Sequence, residues 1–97
     1  MSNIVIHLVI LRPKNRGYSH DVARFSRTFY DVCPPVTPTK MEIKERTFRV
    51  TDVDWSPEIP NIIDIYVEGA IGDGGEFSDF IDRLSNDKKW VRDFPKD

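Results

Sequence analysis

The chain has few of the residues that usually announce chemistry. Its 97 residues include one cysteine, Cys33, and two histidines, His7 and His20. A lone cysteine cannot close an intramolecular disulfide, and it fits a reducing compartment. Neither histidine has a cysteine or a second histidine at metal-ligand spacing, which argues against a zinc centre. No nucleophile elbow, phosphate-binding glycine loop or Ser/His/Asp pattern is present. Long apolar runs are missing too. The longest, residues 4–11, is interrupted by His7, and about 20 apolar residues are needed to cross a bilayer. It has no basic segment ahead of it and no small-residue exit, so it does not read as a secretion signal. The expectation is one cytoplasmic domain over residues 1–97, not an enzyme, with no cofactor and no membrane partner.

What is present is ordinary for a globular chain: 39% hydrophobic and 31% charged residues, with a net charge of −2. The charge is unevenly placed. Residues 1–50 carry nine Lys/Arg against four acids, and residues 51–97 carry five against twelve. Such asymmetry marks either a partner surface or two halves that neutralise each other in the fold. With a pI near 5.6 and few strand aromatics, nucleic acid is a disfavoured partner.

Periodicity gives an element order. "NIVIHLVILRP" is a β-branched run in which Ile4, Ile6, Leu8 and Ile10 share one face and Val5, His7, Val9 and Leu11 the other. That pattern predicts a central strand. "SHDVARFSRTFYDV" places Val22, Phe25, Phe29 and Val32 at helical spacing behind Ser19 as a cap, which predicts a first helix. "KMEIKERTFRV" alternates, but its apolar parity changes at Phe48, which predicts a strand with a bulge or a change of partners. "TDVDWSPEIPN" reads as a proline-bearing loop and "IIDIYVEG" as a strand with Ile63, Ile65 and Val67 inward. Phe77, Phe80, Ile81 and Leu84 predict a second helix. Residues 88–95 could extend that helix or form a short edge strand.

This order is the β-α-β-β-α(-β) plan of a ferredoxin-like α+β sandwich, an antiparallel sheet with two helices on one face. The segments "VILRP", "KMEIKERT", "IDIYVEG" and "FSDFIDRL" resemble those of a small uncharacterised archaeal ferredoxin-like family. The resemblance implies that fold and self-association rather than a defined activity. A homodimer or higher oligomer is expected, formed through the second apolar face of the first strand.

Candidate contact residues cluster in two places. Asp52, Asp54 and Glu58 surround Trp55, and Pro57 and Pro60 stiffen the backbone after it, as in a protein-contact loop. Arg12, Lys14 and Arg16 form a basic loop after the first strand. A second-choice cation site is Glu68, Asp73 and Glu76 in the glycine-rich stretch "VEGAIGDGGEFSDF", which otherwise reads as a strand exit and a helix entry. The functional expectation is a small binding or regulatory module that self-associates through its sheet and takes a protein partner or small ligand. The alternative is an inhibitor or adaptor that masks a host protein through Trp55 and a charged face.

Overall fold

A computed structural model describes residues 2–12, 21–32, 39–71 and 75–94. In chain order these form β1 (Ser2–Arg12), β2 (Asp21–Val32), β3 (Lys40–Ile43), β4 (Arg46–Ser56), β5 (Ile59–Ala70), α1 (Gly75–Asn86) and β6 (Val91–Phe94). The six strands make one sheet in the order β3-β4-β5-β1-β2-β6. β1 pairs parallel with β5, and the other four pairings are antiparallel. α1 packs on one face, so that β5, α1 and β6 form a crossover spanning β1 and β2.

The ferredoxin-like sandwich is therefore overturned. Among the described residues the sheet is mixed and curled into a half-barrel around a single helix. The error lies at residues 21–32. Their apolar positions fit helical spacing over a short window, yet the same residues also alternate: Ala23, Phe25 and Phe29 lie on one face of β2, opposite Ile10, Leu8 and Ile4 of β1. The segment is rich in aromatic and β-branched residues, which favour a pleated surface. Pairing with β1 along its whole length decides in favour of the strand. Near its end a bulge sets Tyr30 and Asp31 against Asn3; Asp31 has φ 51° and its N–H donates to the Asn3 side-chain oxygen at 3.1 Å.

Two further expectations change. The parity switch in "KMEIKERTFRV" is a hairpin rather than a bulge or a change of partners. Lys44 (φ 50°) and Glu45 (φ 68°) form the two-residue turn between β3 and β4, with Ile43 opposite Arg46. Two positive φ values at the centre of a two-residue hairpin are the signature of a type I′ turn, which asparagine and glycine favour. Lysine and glutamate there carry roughly 1–2 kcal/mol of strain each. Glu45→Gly is accordingly expected to raise stability by roughly 0.5–1 kcal/mol after the entropy of glycine is counted. Urea unfolding reads the change, and a loss of stability would contradict this turn geometry. The supposed loop at 51–61 is likewise strand: β4 and β5 continue through it and turn only at Pro57 and Glu58.

Other expectations hold. β1 is central, flanked by β5 and β2. Its even positions from Ile4 to Ile10 are buried and its odd positions from Val5 to Leu11 are half-buried. In β5, Ile65 and Val67 are buried, and Phe80, Ile81 and Leu84 of α1 cover them and the inner face of β1. Each such side chain contributes about 1.5–3 kcal/mol through burial. Residues 91–94 are the edge strand rather than an extension of the helix.

The two charge halves do meet. Lys44 bonds Asp87 at 2.7 Å, Arg49 bonds Glu68 at 2.7 Å, and Arg46 lies 3.8 Å from Glu76. Each pair joins a cation of the first half to an acid of the second. Among the described residues, no helix is long and apolar enough to cross a membrane.

Candidate functional site

The curl of the sheet makes a concavity on its inner face. α1 covers one end of the inner face and leaves the other open. There the edge strand β3 bends toward β2, and residues from both sides line a cavity of about 420 Å³. Its walls are apolar: Ile4 and Ile6 from β1, Phe29 and Val32 from β2, Met41 and Ile43 from β3, Ile65 from β5, and Trp90. The volume lies within the usual range of small-ligand pockets, about 300–1,000 Å³.

The wall opposite β3 is held in place by one turn. After α1, the Asp87 N–H donates to the Leu84 carbonyl at 3.1 Å, and the Trp90 N–H donates to the Asp87 carbonyl at 3.0 Å. This tight turn drives the Trp90 indole into the core. The Asp87 carboxylate accepts from Lys44 Nζ and from the Lys89 N–H at 3.0 Å. Those two bonds, led by Lys44, hold its carboxyl below the usual carboxylate range. The pair also ties the β3–β4 turn to the end of α1, so it closes the half-barrel across its mouth.

One cation stands in this apolar wall. Arg27 belongs to the inner face of β2 because it alternates with Phe25 and Phe29, and it pairs in register with Ile6. Its guanidinium carbon lies 4.3 Å from the centre of the Phe29 ring and 5.9 Å from that of Trp90. Among the described residues no carboxylate lies within ion-pairing distance of it; Asp87 feels its charge only through space. A half-buried guanidinium over aromatic faces, with its donors not committed to an acid, can bind an anion. Glu42, exposed, and Lys44, engaged with Asp87, complete the rim.

The outer face of the sheet carries a second polar group of residues. His7 Nε2 lies 2.8 Å from Asp64 Oδ1, so that nitrogen carries the proton and donates to the carboxylate. The imidazole stacks on Tyr66, centroids 4.5 Å apart and planes 12° from parallel. Asp52 and Asp54 of β4 continue the same face, opposite Tyr66 and Asp64. Desolvation, and then Asp64, Asp54 and Asp52, push the Tyr66 phenol above its ordinary value.

The sequence-predicted residues are dispersed. Trp55, Asp52, Asp54 and Glu58 do lie on one projecting β4–β5 hairpin, but Trp55 is on a strand and points to the inner face while Asp52 and Asp54 occupy the outer. At 57% exposure Trp55 does not cap the core. Glu68 is on the outer face with Arg49, and Glu76 rides on α1 over the inner face near Arg46. Asp73, Lys14 and Arg16 lie outside the described residues, as do His20 and Cys33, and Arg12 ends β1. Among the described residues no three His, Cys, Asp or Glu side chains gather as a metal site.

A helical reading of this segment sets Arg27 beside Arg24 as two cations that either meet phosphates or face the acids of the second helix, and so does not place Arg27 in an apolar wall. In the strand the two lie on opposite faces, with Arg24 5.9 Å from the ring of Phe94. The available signal was the alternation Ala23-Phe25-Arg27-Phe29, which sets one cation in an apolar row. Comparison of the chain with protein-family models, with curated proteins and with solved structures finds no match.

Proposed function

We propose that the protein is a non-enzymatic binding module whose half-barrel cavity takes a small ligand with an apolar body and one anionic group. The observation that carries this reading is Arg27, a cation without an acid partner among the described residues, set in an otherwise apolar wall. The ligand body lies against Ile4, Ile6, Met41 and Trp90, and its anionic head meets the guanidinium. A hydrogen bond to a charged group contributes about 1.5–3 kcal/mol, enough to favour an anion over a neutral analogue by roughly tenfold or more.

Two dyes of nearly equal shape test it: anilinonaphthalenesulfonate and its uncharged parent phenylnaphthylamine. Both are expected to bind and to quench Trp90, the sulfonate more tightly. Arg27→Gln is expected to remove the difference while leaving the neutral dye bound. Failure of both dyes to bind would discard the cavity as a site. An anion preference that survives Arg27→Gln would discard the role of Arg27.

Self-association through the outer face of the sheet belongs to the same reading. It is supported by the half-buried Val5, Val9 and Leu11 and the exposed Val91 and Phe94 on that side. Light scattering on the same samples reads it, and a monomer mass at every concentration removes this part.

A further inference from the structure

Among the described residues, the half-barrel has an unfinished edge. Among the described residues β3 pairs with β4 from Arg46 to Arg49, and the Val50 N–H donates to the Thr39 carbonyl at 3.0 Å just beyond that pairing. From Thr51 to Ser56, β4 has β5 on one side and, among the described residues, no strand on the other. All six residues are exposed. An open edge of this length is a template for another strand.

The side chains along it say which strand. Val53 and Trp55 project on the inner side, 42% and 57% exposed. Asp52 and Asp54 project on the outer side, and among the described residues neither has an ion-pair partner; Asp54 stands beside Asp64 in register. A second copy of this chain fits badly. Antiparallel pairing of two such edges would set the Asp52 and Asp54 carboxylates of both copies against one another, and like charges directly opposite are destabilising. The aspartates thus guard the edge against self-pairing, as charged residues on natural edge strands do.

The same two carboxylates select a different occupant. We infer that the Thr51–Ser56 edge of β4 accepts an extended segment of a protein partner in which lysine or arginine alternates with apolar residues. The basic positions of that segment face Asp52 and Asp54 on the outer side of the sheet. The apolar positions lie on Val53 and Trp55 on the inner side. Backbone bonds to the edge supply affinity and the alternation supplies selectivity. This surface is separate from the cavity, so ligand in the cavity is not required for it.

The test uses two synthetic peptides, one alternating lysine with valine and one alternating glutamate with valine, labelled for fluorescence anisotropy. Amide hydrogen exchange of the full chain is followed in parallel. The lysine peptide is expected to bind and to slow exchange at Val53 and Trp55, with the glutamate peptide much weaker. Asp52→Asn with Asp54→Asn is expected to weaken the lysine peptide roughly three- to tenfold, the worth of two cross-strand charge pairs. Asp52→Lys with Asp54→Lys is expected to invert the preference toward the glutamate peptide. Val53→Pro, which takes away an edge N–H that donates to Asp52 Oδ1 at 2.9 Å, is expected to remove binding while the circular dichroism of the sheet is kept. The inference is overturned if neither peptide binds, or if the lysine peptide binds without protecting residues 51–56. It is overturned equally if charge reversal leaves the preference unchanged.

Discussion

Gly69→Ala is expected to destabilise the protein by about 1–3 kcal/mol, and Gly69→Val to leave little folded protein at room temperature. Gly69 lies within β5, where a Cβ would come 2.6 Å from Cδ1 and 3.1 Å from Cε1 of Phe48. Contacts that short require something to move. The Phe48 ring is only 2% exposed, and it packs on Phe80 of α1 with centroids 5.7 Å apart. It therefore cannot retreat without lifting the helix. A marginal stability of about 5–15 kcal/mol leaves little room for the two extra methyl groups of valine. The decisive measurement is a double-mutant cycle by urea unfolding. Gly69→Ala combined with Phe48→Leu should lose clearly less than the sum of the single losses, because the smaller side chain vacates the space that Cβ needs. Additive losses, or a Gly69→Ala variant as stable as the parent, would refute the close packing of Phe48 on Gly69.

Leu84→Ala is expected to cost about 2–5 kcal/mol, lowering Tm by roughly 10–30 °C in a domain of this size. Leu84 is fully buried beneath α1, among Phe80, Ile81 and the sheet. Its carbonyl also accepts the bond that starts the Asp87–Trp90 turn. Loosening the end of the helix therefore disturbs the seat of Trp90 and the Lys44–Asp87 tie across the half-barrel mouth. The variant should lose dye binding in the cavity at temperatures where it is still mostly folded. The exposed Asp82 on the same helix supplies the control, since Asp82→Ala should stay within about 0.5 kcal/mol. Differential scanning calorimetry separates the two, and equal Tm values would show that α1 does not pack through Leu84.

Gly69 also illustrates how a sequence is misread. As part of a glycine-rich stretch it looked like a device for leaving a strand. In the fold the strand continues through Ala70, and the glycine is there because an aromatic ring from the neighbouring strand lies over it. Nothing within β5 itself reveals that ring. It comes from β4, about twenty residues earlier.

Local patterning determined a good part of this protein. The β-branched run of β1, the Ile63-Ile65-Val67 alternation of β5 and the Phe77-Phe80-Ile81-Leu84 stripe of α1 were legible because each buries a continuous face. Such a face writes its own period into the residues. The charge halves were legible as partners for each other, and ion pairs join them. Trp55, Asp52 and Asp54 were legible as exposed residues close together in the chain, although not the division of tryptophan and aspartates between two faces. Tertiary structure alone decided the rest. Residues 21–32 satisfy a helical and a strand period at once, and only the open side of β1 makes the strand the lower free-energy choice. Through that pairing Arg27 turned from one of two cations on an expected helix into the polar group of an apolar cavity. The Lys44–Glu45 turn, the bend of β3 toward β2 and the seat of Trp90 depend on contacts between segments far apart in the chain. No local period carries such contacts, so the concave face and its cation emerge only when the sheet is assembled.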